Sequence, residues 1–197
     1  MKYRKILFEI FVSMFFLMFT STLLWSGEPE ELVKEIILKD TSLKGAERTN
    51  ERKQKLWEEI SHSFDFEEMS KRAMGKYWRK RSPEEKREFV ELFTNTLKGA
   101  YARNASSCFG DKIISLREKQ FNKYAKVQAE LITKIGKEKT AIFRLLKKNG
   151  KWKIYDINIE GVSVVKNYSS QINYILVESS YEELVQKMKQ KQRKKSL

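Results

Sequence analysis

Cysteine, histidine and proline are scarce in this chain of 197 residues, which has one cysteine, Cys108, one histidine, His62, and two prolines. A single cysteine excludes an internal disulfide. One histidine and one thiol leave no cluster with metal-ligand spacing, so neither a metal nor a cofactor is expected. No glycine-framed nucleophile flanks His62, and nothing in the sequence brings it to Cys108, so no catalytic residue is assigned and the thiol reads as a packing residue. A nucleotide-binding loop is also missing, so any energy input has to come from a partner. With no repeat, no low-complexity linker and so few prolines, nothing marks an internal boundary.

What is present begins with an apolar N-terminal run. Lys2, Arg4 and Lys5 precede it, it extends from Ile10 to Phe19 and on to Trp25, and the small residues Ser26 and Gly27 follow. This layout predicts an export signal over residues 1–26 and a single domain over 27–197. A transmembrane anchor is the competing reading, because Ile6 to Trp25 has spanning length, although Glu9 interrupts it. No cysteine follows the run, which argues against lipoprotein attachment. Charge is strongly one-sided, with 40 Lys and Arg against 26 Asp and Glu, a net +14. Loss of Lys2, Arg4, Lys5 and Glu9 with the signal lowers this to about +12. An anionic partner is the expectation, with lysine-rich solubility as the plain alternative. Export points away from nucleic acid, although aromatic residues able to stack on bases are present.

Apolar periodicity sets the elements. Leu32, Val33, Ile36 and Ile37 predict a helix from Pro29 to about Lys39, and Leu56, Trp57, Ile60 and Phe64 a second one after Asn50. Asp65 with Glu68 starts a short helix that Gly75 ends, with Phe64 placed to staple onto Met69. Tyr77 and Trp78 follow as apolar anchors. Ser82-Pro83-Glu84-Glu85 is a capping box that opens a long helix to about Asn104, with Phe89, Phe93, Leu97 and Tyr101 along one stripe. After Gly110 the pattern changes to four antiparallel strands, turning near Phe121-Asn122, Gly136-Lys137 and Asn149-Gly150. In the second strand Ala125, Val127, Ala129, Leu131 and Thr133 share the core face, opposite Lys126, Gln128, Glu130 and Lys134. Ser163 caps a helix carrying Val165, Tyr168, Ile172, Ile175 and Leu176, and Ser180 with Glu183 opens the last, carrying Leu184, Val185 and Met188. The expected class is α+β: a four-stranded antiparallel sheet with helices packed on one face.

Asp156 and Glu160 invite reading as paired acid and base groups. On a strand, residues four apart lie about 13 Å from each other, too far for that chemistry unless the turn at Gly161 shortens it. They read better as scaffold, with Asp156 accepting hydrogen bonds from buried donors and Glu160 fixing the strand-to-helix corner.

These acids belong to the most informative stretch, Trp152 to Tyr168. Its Trp152, Tyr155, Asp156, Glu160-Gly161-Val162-Ser163 and Asn167-Tyr168 are similar to the last strand and following helix of MlaC-type periplasmic phospholipid-binding proteins, the toluene-tolerance auxiliary family. The resemblance extends to Phe64-Asp65-Phe66, Met69, Ser70, Gly75, Tyr77-Trp78, Ser82-Pro83-Glu84-Glu85 and the spaced Phe89, Phe93, Leu97 and Tyr101, so it covers nearly the whole secreted chain. It implies an apolar lipid cavity between helices and sheet that holds both tails of a phospholipid, with the headgroup at solvent. Two tails carry on the order of 30 methylenes, whose exposure at about 0.8 kcal/mol each would cost roughly 24 kcal/mol, so crossing water needs a closed carrier.

The lining that follows from this comparison is Trp78, Phe89, Phe93, Leu97, Tyr101, Val127, Ala129, Leu131, Tyr155, Val165, Tyr168 and Ile172. Only one of Trp152 and Tyr155, on opposite strand faces, is expected to reach a cavity. The implied partners are a phospholipid, an inner-membrane ABC-type lipid transporter complex and an outer-membrane lipoprotein complex, with no nucleic acid and the chain itself a monomer. Two departures stand out. Ser169 occupies a place where the family usually has arginine, with Lys166 nearby as a substitute charge. The tail has six cations, Lys187, Lys189, Lys191, Arg193, Lys194 and Lys195, as a solvated helix end or a dock for anionic lipid. A secreted enzyme using the cavity as an active site, and a basic interaction module with a filled core, remain the alternatives.

Overall fold

The computed structural model describes residues 28–42, 49–103, 112–133 and 135–193. The N-terminal run, Cys108, Lys134, Lys194 and Lys195 lie outside them. Among the described residues four helices precede the sheet: α1 (Glu28–Ser42), α2 (Asn50–Ser61), α3 (Phe66–Met74) and α4 (Pro83–Arg103). Local chemistry fixes their starts. Asp65 Oδ1 accepts the Glu68 N–H at 2.9 Å and caps α3, which ends at Gly75, whose φ of 55° suits a residue without Cβ. A 3-10 turn, Gly75–Lys80, follows. Ser82 and Glu85 then cap α4 reciprocally, the serine Oγ accepting the Glu85 N–H at 3.2 Å and the glutamate accepting the Ser82 N–H at 2.6 Å.

Strands β1 (Lys112–Phe121), β2 (Tyr124–Ile132), β3 (Glu138–Lys148) and β4 (Lys151–Ile159) pair antiparallel in chain order. The expected four strands gain a fifth, β5 (Val162–Ser163), because the chain reverses tightly at Glu160 and Gly161, with φ of 51° and 85°, and pairs back on β4 before helix α5 begins. Asn149 and Gly150 make the other tight reversal, with φ of 52° and 77°. The hydroxyl of Ser163 accepts the Lys166 N–H at 3.0 Å to start α5 (Val164–Glu178), and Ser180 caps α6 (Tyr181–Arg193) by accepting the Glu183 N–H.

The inner face of the sheet carries Ala125, Val127, Ala129, Leu131, Ala141, Phe143 and Leu145, all buried with Val33, Ile36 and Ile37 of α1. Each large side chain here contributes about 1.5–3 kcal/mol by leaving water. A second core joins α3, α4, α5 and α6 through Met69, Met74, Phe89, Phe93, Leu97, Val165, Ile172 and Leu184. Between the two, the segment Ser63–Asp65 lies along the upper half of β4: Asp65 N–H donates to the Ile154 carbonyl at 2.8 Å and Ile154 N–H to the Ser63 carbonyl at 2.9 Å. This covers a sheet edge and fixes Phe64 and Phe66 beside it. Helix α6 follows α4 in the same direction, with Tyr181 bonded to the Glu85 carbonyl, Lys189 paired with Glu88 and Gln192 donating to the Leu92 carbonyl.

One irregularity matters for the site. Arg144 pairs with Asp156 and Leu145 with Ile154, leaving Tyr155 as an extra residue in β4. Trp152 and Ile154 therefore face the first core, and beyond the bulge Ile157 and Ile159 take up the inward positions.

Candidate functional site

An apolar cavity of about 350 Å³ lies where the two cores meet. Five parts of the chain wall it. Helix α2 supplies Trp57 and Ile60, the segment through α3 supplies Phe64, Phe66 and Met69, and the end of α4 supplies Leu97, Ala100 and Tyr101. Ile157 and Ile159 come from β4, and Val162, Val164, Asn167 and Tyr168 from the strand-to-helix corner. Aromatic rings join these parts: Trp57 lies 5.6 Å from Phe66 and 5.9 Å from Tyr101, while Phe64 stacks on Phe66 at 5.8 Å. Val162 and Asn167 are exposed, so the mouth opens at that corner.

The polar groups of the wall are few and mostly engaged elsewhere. Tyr101 donates its hydroxyl to Asp40 at 2.8 Å, a carboxylate only 1 % exposed. Lys53, itself buried, donates to the Ala102 carbonyl at 2.9 Å and so holds the C-terminal end of α4 against α2. Burial raises the Tyr168 hydroxyl above its usual range, and the positive charge of Arg103 partly opposes this. Among the described residues no carboxylate, amine, thiol or imidazole lines the cavity. Among the described residues no group of three or more His, Cys, Asp or Glu gathers in metal-binding geometry, and no helix is long and apolar enough to cross a membrane.

The corner that carries the mouth is built by Asp156. Its carboxylate accepts from the Ser163 hydroxyl at 2.8 and 2.9 Å, from the Val165 N–H at 3.1 Å, and from Arg144 at 2.7 Å. Glu160 accepts the Thr140 N–H at 2.7 Å through Oε1, and its own N–H donates to the Thr140 carbonyl at 3.0 Å. Both acids thus hold the turn from β4 to α5 in place, as scaffold rather than as a reactive pair.

Of the residues singled out in the sequence, Leu97, Tyr101 and Tyr168 meet at the cavity wall. Phe93 stands one layer behind, its ring edge-on to Tyr168 at 5.3 Å and stacked on Phe89 at 5.8 Å. Val165 and Ile172 are buried in that same second core, and Trp78 packs on its margin with the Lys86 ammonium 5.7 Å from its ring. Val127, Ala129 and Leu131 lie instead in the core under α1. Tyr155 turns away from the cavity at the bulge, packs half-buried against the second core and meets Tyr124 edge-on at 6.3 Å, with the Arg72 guanidinium 4.2 Å over its ring. Trp152 packs in the first core, and it is not among the cavity's lining residues. The wall residues absent from the lining expected from the sequence are Trp57, Ile60, Phe64, Phe66, Met69, Ala100, Ile157, Ile159, Val162, Val164 and Asn167. The signal for the β4 pair was its alternating Ile-Asn-Ile, and that for the helix pair was the apolar side of α2.

Comparison with known proteins agrees with this architecture. The Intermembrane phospholipid transport system binding protein MlaC of Haemophilus influenzae is 24% identical over 131 residues, 64% of this chain and 61% of that protein. The chain thus aligns with less than two thirds of that relative's length. A solved structure of a phospholipid-binding protein from Ralstonia solanacearum, in complex with a phospholipid, superposes with a TM-score of 0.64 at 19% identity, covering 86% of this chain and 97% of the other. That likeness is one of fold. Residues 31–190 match the MlaC protein family, and the chain belongs to that family.

Proposed function

We propose that this protein is a periplasmic phospholipid carrier that moves diacyl lipids between outer-membrane and inner-membrane complexes and performs no chemistry on them. The observation that supports this most directly is the cavity wall, in which aliphatic and aromatic side chains from five parts of the chain converge, with no carboxylate, amine, thiol or imidazole among the described residues. Family membership and the relatives' names point the same way. Export by cleavage of residues 1–26, a monomeric single domain, and partners comprising an ABC-type transporter and an outer-membrane lipoprotein complex belong to the same reading.

Volume sharpens the proposal. If a methylene occupies roughly the 30 Å³ share of a water molecule, the cavity of about 350 Å³ takes about a dozen, fewer than the roughly 30 of two tails. That is most of one tail of roughly 15 methylenes. The second requires wall side chains such as Met69 and Leu97 to change rotamer, which their flexible, unbranched or singly branched chains permit.

Native mass spectrometry with lipid extraction of the purified protein tests this reading. A diacyl phospholipid bound to the chain is the expected result. A protein that never acquires lipid, even after incubation with vesicles, would overturn it, and turnover of a lipid substrate would replace it with an enzyme.

A further inference from the structure

The solvent face of the sheet carries an arrangement that folding alone does not favour. Lys119 stands directly opposite Lys126, and Lys126 directly opposite Arg144, so three cations form one row across β1, β2 and β3. Like charges facing each other across strands are destabilising. Arg144 has Asp156 at 2.7 Å, whereas Lys119 and Lys126 have no carboxylate within ion-pair distance among the described residues. Two residues further along, at the end of the sheet, the next row presents Phe121 opposite Tyr124. Phe121 is 76 % exposed and Tyr124 41 %, at the tip of a hairpin that also projects Lys123.

We propose that this end of the sheet docks on an anionic phospholipid bilayer, with Phe121 and Tyr124 entering the headgroup boundary and Lys119, Lys123 and Lys126 at the phosphates. The spacing fits that occupant. Two residues of strand cover about 7 Å, and apolar groups of peripheral elements sink about 5–10 Å into the boundary, so the lysine row falls at the level of the lipid phosphates. Lysine richness also favours a bilayer over a protein partner, since lysine is depleted in protein interfaces but favoured near anionic lipid. The cavity mouth at Val162 and Asn167 is at the opposite end of β4, so this contact tethers the protein without presenting the mouth to the bilayer. The inference rests on the carrier reading for its purpose, but membrane binding and lipid content are measured separately, and either can fail alone.

The test is partition of the protein as secreted onto vesicles of phosphatidylglycerol mixed into phosphatidylcholine, against phosphatidylcholine alone. Binding is expected only to the anionic vesicles and is expected to weaken with salt. The pair Lys119→Ala and Lys126→Ala should weaken it about thirtyfold, and Phe121→Ser at least about tenfold, with lipid content unchanged and, for the lysine pair, a thermal midpoint that does not fall. The pair Lys137→Ala and Lys139→Ala, at the other end of the sheet, removes the same charge and should cost far less. Equal loss in both pairs would reduce the effect to net charge and overturn the proposal. So would a protein that ignores anionic vesicles, or binding that survives the Lys119 and Lys126 changes.

Discussion

The hydroxyl of Tyr101 donates to the carboxylate of Asp40 at 2.8 Å, joining the last turn of α4 to the last turn of α1 behind the cavity wall. The ring therefore faces the cavity while its polar end is satisfied by a buried acid. Tyr101→Phe keeps the ring and removes the donor, so stability should fall by about 1–3 kcal/mol in urea unfolding with lipid content preserved. Loss of lipid at unchanged stability would instead assign the hydroxyl to the ligand.

Leu97 and Val127 both invite substitution by tryptophan to block a tail, but they sit in different places. Leu97 is at the wall, so Leu97→Trp should leave a folded protein with reduced lipid content by native mass spectrometry. Val127, 0 % exposed beneath α1, has no such space, and Val127→Trp should lower stability by at least about 1–3 kcal/mol through overpacking. A stable Val127→Trp protein emptied of lipid would move the cavity to the sheet.

Asp156→Ala strips an acceptor from the Ser163 hydroxyl, the Val165 N–H and Arg144 at once. The expected cost is about 2–4 kcal/mol, with Asp156→Asn milder because one acceptor oxygen remains. Glu160→Gln, which keeps an oxygen for the Thr140 N–H, should be near neutral. Thermal unfolding of the three proteins checks the order, and an Asp156→Ala protein as stable as the parent would remove the acid from its scaffold role.

Tyr181 donates to the Glu85 carbonyl at 2.8 Å, and burial, with the nearby Glu88 and Glu85, pushes its hydroxyl up to about 12 from 10.0. Because the folded value is raised, its contribution is fully present below pH 10 and is lost as pH rises towards about 12. Tyr181→Phe should therefore be less stable at neutral pH, by about 0.5–1.5 kcal/mol, yet show a flatter decline in unfolding free energy above pH 10. An unchanged alkaline slope would mean that Tyr181 does not ionise on unfolding.

Helix starts were legible because each is a local bargain between one side chain and one N–H: Asp65, Ser82, Ser163 and Ser180 all cap as their neighbours suggest. The core face of β2 followed from strict alternation, and the reversal at Asn149-Gly150 from two residues that tolerate positive φ. The cavity wall was legible only in part. Periodicity identifies the apolar side of α4 but cannot tell Phe93, a layer behind, from Leu97, at the surface of the space. β5 escaped notice because two residues carry no pattern, and Tyr155 because alternation presumes an unbroken strand.

That extra residue has a mechanical meaning. Bulges concentrate twist, so β4 is two short rulers joined at Tyr155 rather than one, each keeping its own alternation towards the same first core. The joint sets the angle between the hairpin end of the sheet, with Phe121 and Lys123, and the corner end, where Val162 marks the cavity mouth. Removing Tyr155 would keep every inward residue inward and still re-aim one end relative to the other.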